Sequence, residues 1–163
     1  MTFLTSEQIK TLSNEISYDE EMFRAVKISL ATGSRWAETI SLKAANHTTY
    51  RIRFPDTKAG KHRTVPINKA LYDEVHPEDG GALFLTNPQH SLRQRIGKLF
   101  DLRKGQKNHV LRHTFASHFM INGGSILTLK EIPAHSSITQ TMTYAHLAPD
   151  HLQDAVRLNP LDN

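Results

Sequence analysis

Cysteine is absent from all 163 residues, which excludes disulfides, thiolate metal centres and a cysteine nucleophile together and fits a reducing compartment. No run approaches the roughly 18 uncharged apolar residues of a membrane-spanning helix. The opening Met1-Thr2-Phe3-Leu4, followed by Ser6-Glu7, lacks the basic-then-apolar order of a secretory leader. A soluble cytoplasmic protein with no membrane partner is therefore expected. Gly/Ser-rich linkers, low-complexity runs and internal repeats are also missing, so residues 1–163 are expected to form one domain. With 38% hydrophobic residues the chain can bury a core.

Positive charge is concentrated in the middle of the chain. Positions 51 to 113 hold 13 Lys/Arg against 6 Asp/Glu, a local +7 that leaves −3 for the remainder of a net +4 chain. An anionic partner such as nucleic acid fits this segment, and on charge alone a solvated basic face fits it equally.

Hydrophobic periodicity predicts a mainly α-helical α+β fold with one small antiparallel β-sheet. Thr5 and Gln8 have capping-box spacing ahead of Ile9, Leu12 and Ile16. Asp19-Glu20-Glu21 opens a second helix with Phe23, Val26, Ile28 and Leu30 on its apolar face, and Gly33 stops it. A short helix is expected from Ser34 to Leu42. From Thr48 to Phe54 the pattern alternates, with Tyr50, Ile52 and Phe54 on one face and Arg51 and Arg53 on the other, and Arg63 to Ile67 reads as the return strand. Leu83-Phe84-Leu85 is a candidate extra strand. Helices follow at about Ser91–Leu102, Asn108–Asn122, Ile126–Ile132 and Ile138–Tyr144, with a last one starting near Pro149-Asp150.

His109 and Arg112 stand three apart, so a helix presents both on one face, while Leu111, Phe115 and Phe119 are expected to form its core stripe. By itself that pair fits an exposed helix surface as well as a phosphate site. His109, His113 and His118 invite a metal reading, but the glutamate of the metalloprotease helix motif and any cysteine are lacking, so neither metal nor cofactor is expected.

Four segments in order carry more than any one of them: Ala31-Thr32-Gly33-Ser34-Arg35-Trp36-Ala37-Glu38, the hairpin from Thr57-Lys58 to Arg63-Thr64-Val65-Pro66, His109 to His118, and Ala134-His135 followed by Tyr144-Ala145-His146. Together they resemble the catalytic core of tyrosine recombinases, and most closely the integrases of contractile-tailed temperate phages. The resemblance runs to Asn159-Pro160-Leu161. It implies that Arg35 and Arg112 hold a DNA phosphate, that Lys58 on the hairpin is the general acid with Lys61 as the alternative, that His109 and His135 are the active-site histidines, His135 hydrogen-bonding the phosphate, and that Tyr144 is the nucleophile, with His109 or a water as the candidate acceptor of its proton. Tyr18, Tyr50 and Tyr72 do not follow an Ala-His pair by nine residues. Two guanidiniums can neutralise charge developing on a phosphorane as a metal ion would elsewhere.

The resemblance further implies that Glu38 orients an active-site partner and that Arg51, Arg53, Lys61 and Arg63 bind DNA. Trp36 is expected in the core. Where such integrases usually show Leu-Gly before the second histidine, this chain has Pro133-Ala134, which removes a backbone donor and the freedom to adopt positive φ beside His135. The expected partners are double-stranded DNA attachment sites, a homotetramer on DNA with a possible dimer through a tail at 147–163, and DNA-bending accessory proteins. N-terminal arm-binding and core-binding domains are expected to be absent. A non-catalytic DNA-binding remnant, a topoisomerase-like enzyme and, more distantly, a metal-dependent nuclease are the alternatives.

Overall fold

The computed structural model describes residues 2–55, 62–76, 83–102, 105–133 and 137–149. Thr5 caps α1 (Ser6–Glu15): its hydroxyl accepts from the Gln8 N–H while the Gln8 side chain accepts from the Thr5 N–H, the reciprocal pair foreseen from spacing. Asp19 accepts from Met22 N at the start of α2 (Glu20–Thr32), where Glu20 and Glu21 also complement the helix dipole. Gly33 ends α2 at φ 61°, and a Cβ there would lie 2.5 Å from Phe115 Cδ1, so both backbone and space demand glycine. The third helix, α3 (Trp36–Ile40), restarts almost at once, and Arg35 is its N-cap.

The sheet has three antiparallel strands in the order β1 (His47–Thr48), β2 (Arg51–Phe54) and β3 (Arg63–Pro66). Ile52 pairs with Val65, and Ile52 and Phe54 are buried while Arg51 and Arg53 face out, as alternation predicted. Two expectations fail here. The strand does not run from Thr48 to Phe54, because Tyr50 sits at φ 58° in a tight turn that folds β1 back onto β2. Leu83–Leu85 forms no strand: Arg24 donates to the Leu83 carbonyl, and Glu21 accepts from the Leu85 and Thr86 N–H groups, so side chains of α2 take the place of a partner strand.

The remaining helices are α4 (Lys69–Val75), α5 (Gln89–Leu99), α6 (Val110–Ile121), α7 (Ile126–Glu131) and α8 (Ile138–Met142), with a 3-10 turn at Ala145–Leu147. The expected last helix lies outside the described residues. Helix α2 is central. Its Met22, Ala25 and Val26 join Leu12, Leu92, Ile96 and Val110 in one cluster, and its Ile28 joins Ile52, Phe54 and Val75 in another. Each Val, Leu, Ile, Met or Phe side chain among them contributes about 1.5–3 kcal/mol by leaving water.

The core stripe expected on α6 is too narrow. Phe115 and Phe119 are only partly buried, whereas Val110, Arg112, Thr114, Ala116, Ser117 and Met120 are buried with Leu111. The N-terminal segment covers the additional face: Leu4 N–H donates to Thr114 Oγ1 at 2.9 Å, and His118 Nε2 donates to the Leu4 carbonyl at 2.8 Å. His118 is thus a structural tie.

His47 is buried, and among the described residues neither ring nitrogen has a hydrogen-bond partner. Burial first, then the charges of His76 and Arg24, hold it down to about 4. The folded state therefore refuses a proton that the unfolded chain accepts near pH 6.5. Stability is expected to be full above that value and to fall by about 2 kcal/mol, allowing for solvent screening, between pH 6.5 and 4. Thermal melts across this range check it, and His47→Leu should flatten the slope.

Candidate active site

The α2–α3 junction that carries Arg35 is fixed from below by buried hydroxyls. Thr32 donates to the Ile28 carbonyl at 2.7 Å and its hydroxyl also meets Ser34 Oγ at 3.0 Å, and Thr39 bridges Ser34 at 2.6 Å and Ser29 at 3.0 Å. Every one of these four residues is almost fully buried. Above them, Glu38 accepts from the Arg35 backbone N–H at 2.8 Å and from Arg35 Nη1 at 3.0 Å, so one carboxylate caps α3 and restrains the arginine.

The same carboxylate receives Arg63 from β3 through Nη2 at 2.8 Å and Nη1 at 3.3 Å. Burial opposes the charge of Glu38, but hydrogen bonds from Arg63 and from the Arg35 N–H outweigh it and hold the carboxyl below its ordinary range. Arg63 also lies over the Phe54 ring, 4.4 Å from its centroid. It sits in an ion-pair and stacking seat, unlike the exposed Arg51 and Arg53. Glu38 thus pairs with two arginines.

Arg112 projects from the first turn of α6 and is 8% exposed. Its Nη1 donates to the Gly33 carbonyl at 2.9 Å and to the Pro133 carbonyl at 2.7 Å. Among the described residues nothing engages Nη2 or Nε, which leaves one edge of the guanidinium for a ligand. Burial, and then the neighbouring charge of Arg35, lowers Arg112 to about 10, so it stays charged at neutral pH. The departure at Pro133 has no effect on this contact, because the carbonyl is used and a proline keeps its carbonyl.

Arg35, His109, Arg112, His113, Gln140, Thr143 and Tyr144 line one cleft of about 300 Å³. His109, the N-cap of α6, is exposed. Tyr144 lies just beyond α8 and is 2% exposed, its ring packed with Ala116, Met120 and Leu129. Its hydroxyl meets His113 Nδ1 at 2.6 Å. Burial pushes the phenol up against the pull of Arg112, while burial and then the charges of His109 and Arg112 hold His113 down to about 4. Both are neutral at pH 7.

Four residues singled out in the sequence, Arg35, His109, Arg112 and Tyr144, therefore share one cleft with Glu38 beside them. Lys58, Lys61 and His135 lie outside the described residues. Tyr18 is 66% exposed, Tyr50 occupies a turn, and Tyr72 stacks on His76; none of these lines the cleft. Trp36 is in the core, donating to Asn87. The sequence reading missed His113 as a partner of the tyrosine. Its signal was present, since i, i+3 and i+4 spacing sets His109, Arg112 and His113 on one side of the helix start.

Residues 2–151 match the phage integrase family. The integrase of Escherichia phage 186 is 47% identical over 165 residues, covering 99% of this chain and 48% of the relative. The integrase of Haemophilus phage HP1 (strain HP1c1) is 47% identical over 165 residues, covering 100% and 49%. The solved catalytic domain of bacteriophage HP1 integrase superposes with a TM-score of 0.91 at 46% identity, covering 100% of this chain and 98% of that one. The chain spans about half the length of the curated relatives it matches.

Proposed function

The chain belongs to the phage integrase family of tyrosine recombinases, and from that premise we propose that it is the DNA-cleaving catalytic domain of a site-specific recombinase. The observation that carries this is the single cleft shared by Arg35, Arg112, His109 and Tyr144. In it, the open edge of Arg112 and the guanidinium of Arg35 bind the non-bridging oxygens of one phosphodiester. Tyr144 attacks the phosphorus, the DNA is left joined through its 3′ phosphate, and a 5′ hydroxyl departs. Lys58 is the assigned acid for that hydroxyl, with Lys61 the alternative, and His135 is assigned to hydrogen-bond the phosphate. The phosphotyrosine bond conserves the energy of the broken linkage, so a 5′ hydroxyl from another strand can reverse the step without ATP.

Arg51 and Arg53, exposed on β2, are assigned to the flanking DNA backbone. The partners in this proposal are duplex attachment sites and three further copies of the chain, arranged through the segment at 147–163 and aided by DNA-bending proteins, in the host cytoplasm. Together with its longer relatives' remaining half, such a domain would act in integration and excision.

The test is a nicked suicide duplex incubated with the protein in EDTA, with the segments found in longer relatives supplied, and resolved on a denaturing gel. A covalent protein–DNA adduct is the expected result. No adduct on its own site makes the chain a DNA-binding remnant. An adduct without exchange between two duplexes makes it a topoisomerase-like enzyme, and dependence on a divalent metal a nuclease.

A further inference from the structure

We propose that His113 is a catalytic residue on the nucleophile side of this reaction, taking the hydroxyl proton of Tyr144 on Nδ1 as the phenol oxygen attacks phosphorus. The proposal rests on the recombinase assignment above. Its geometry is the 2.6 Å separation of His113 Nδ1 and Tyr144 Oη inside the cleft that holds both arginines. A phenol O–H is a better donor than a neutral imidazole N–H, and an imidazole lone pair is a far better acceptor than a phenol oxygen. The bond therefore runs from Oη–H to Nδ1. His109, by contrast, is exposed, and its ring stands edge-on to His113 at 6.3 Å between centroids.

The step balances. As the Tyr144 Oη–P bond forms and the P–O5′ bond breaks, the phenolic proton passes to Nδ1, giving an imidazolium. The departing O5′ takes a separate proton from the acid assigned to Lys58. Reversal returns the first proton to Oη. The protein alone makes His113 a poor base, since burial and the charges of His109 and Arg112 disfavour its imidazolium. An incoming phosphate carries the opposite charge into the same cleft and offsets those cations, so the base strengthens when substrate is present. Without substrate the tyrosine stays a phenol.

The experiment measures single-turnover cleavage of the suicide duplex by wild type, His113→Ala and His113→Asn, each with an ordinary 5′ oxygen and with a 5′ bridging sulfur. A thiolate leaves without a proton, so sulfur relieves loss of the leaving-group acid and not loss of the base. His113→Ala is expected to be at least about 100-fold slow on both substrates. His113→Asn, whose Oδ1 can accept a hydrogen bond but not keep a proton, is expected to stay slow although it positions the phenol. Cleavage by His113→Ala within about threefold of wild type, rescue of either variant by sulfur, or full activity in His113→Asn overturns the proposal. Should wild type form no adduct, the recombinase assignment fails, and nitrogen NMR of His113 decides this one separately. The proton is expected on Nε2 with Nδ1 bare and facing the phenol; a proton on Nδ1 above pH 6 overturns it.

Discussion

Tyr144→Phe is expected to abolish the covalent adduct, a loss of at least about 10⁴-fold in cleavage, because phenylalanine has no oxygen with which to attack phosphorus. The same variant should fold. Phenylalanine keeps the ring that packs on Ala116, Met120 and Leu129, and only the hydroxyl is removed from His113. That loss costs about 1 kcal/mol, or roughly 2–4 °C in melting temperature for a chain of this size. Denaturing gels and thermal melts on one preparation separate the two effects. Residual adduct in the variant would transfer the nucleophile to another side chain.

Arg112→Ala is expected to damage both activity and fold. If the open edge of the guanidinium stabilises charge on phosphorus as an oxyanion donor does, its loss slows cleavage at least about 100-fold. The buried edge matters independently: without Nη1, the carbonyls of Gly33 and Pro133 lose their donor in a site that is 8% exposed at the arginine. A penalty of about 1–3 kcal/mol follows, visible as a lower denaturation midpoint. Arg112→Lys should recover little, since one ammonium cannot serve two carbonyls and a phosphate with a planar fork's geometry. Arg35→Ala supplies the contrast. Its side chain is 46% exposed and bonded to Glu38, so cleavage should fall with little change in stability. An Arg112→Ala protein as stable as wild type would show that the two carbonyls find other donors.

Local signals in the sequence were read well where the chemistry is local. The Thr5–Gln8 box, the Asp19 cap, the Gly33 stop and the alternation at Arg51–Phe54 each depend on residues within a few positions. What escaped depends on distant segments. Alternation ran through Tyr50 because its apolar ring suits a strand, and nothing nearby announces a positive φ; the ring is instead held edge-on by Tyr72 of α4. Leu83–Leu85 looks like a strand in composition, yet its backbone is satisfied by Glu21 and Arg24 some sixty positions earlier. Helix α6 shows a narrow stripe to a periodicity argument, and Leu4 covers its second face from 110 positions away. For the site, the resemblance named Arg35, His109, Arg112 and Tyr144, and the fold brings them to one cleft. Arg63, grouped in the sequence with Arg51 and Arg53, differs from them in being ion-paired with Glu38 and lying over the Phe54 ring, contacts that only the folded chain brings together.

The two-carbonyl seat of Arg112 bears on how this protein would decay. It joins the end of α2, at Gly33, to the turn after α7, at Pro133, through a side chain of α6. A lineage that no longer recombines DNA gains nothing from the hydroxyl of Tyr144, yet still needs that guanidinium to hold three helices together. Drift should then erase the hydroxyl early and the arginine late. In a silent descendant, an intact arginine at this position would report only that the chain still folds, and the tyrosine is the residue by which to judge whether it still cuts.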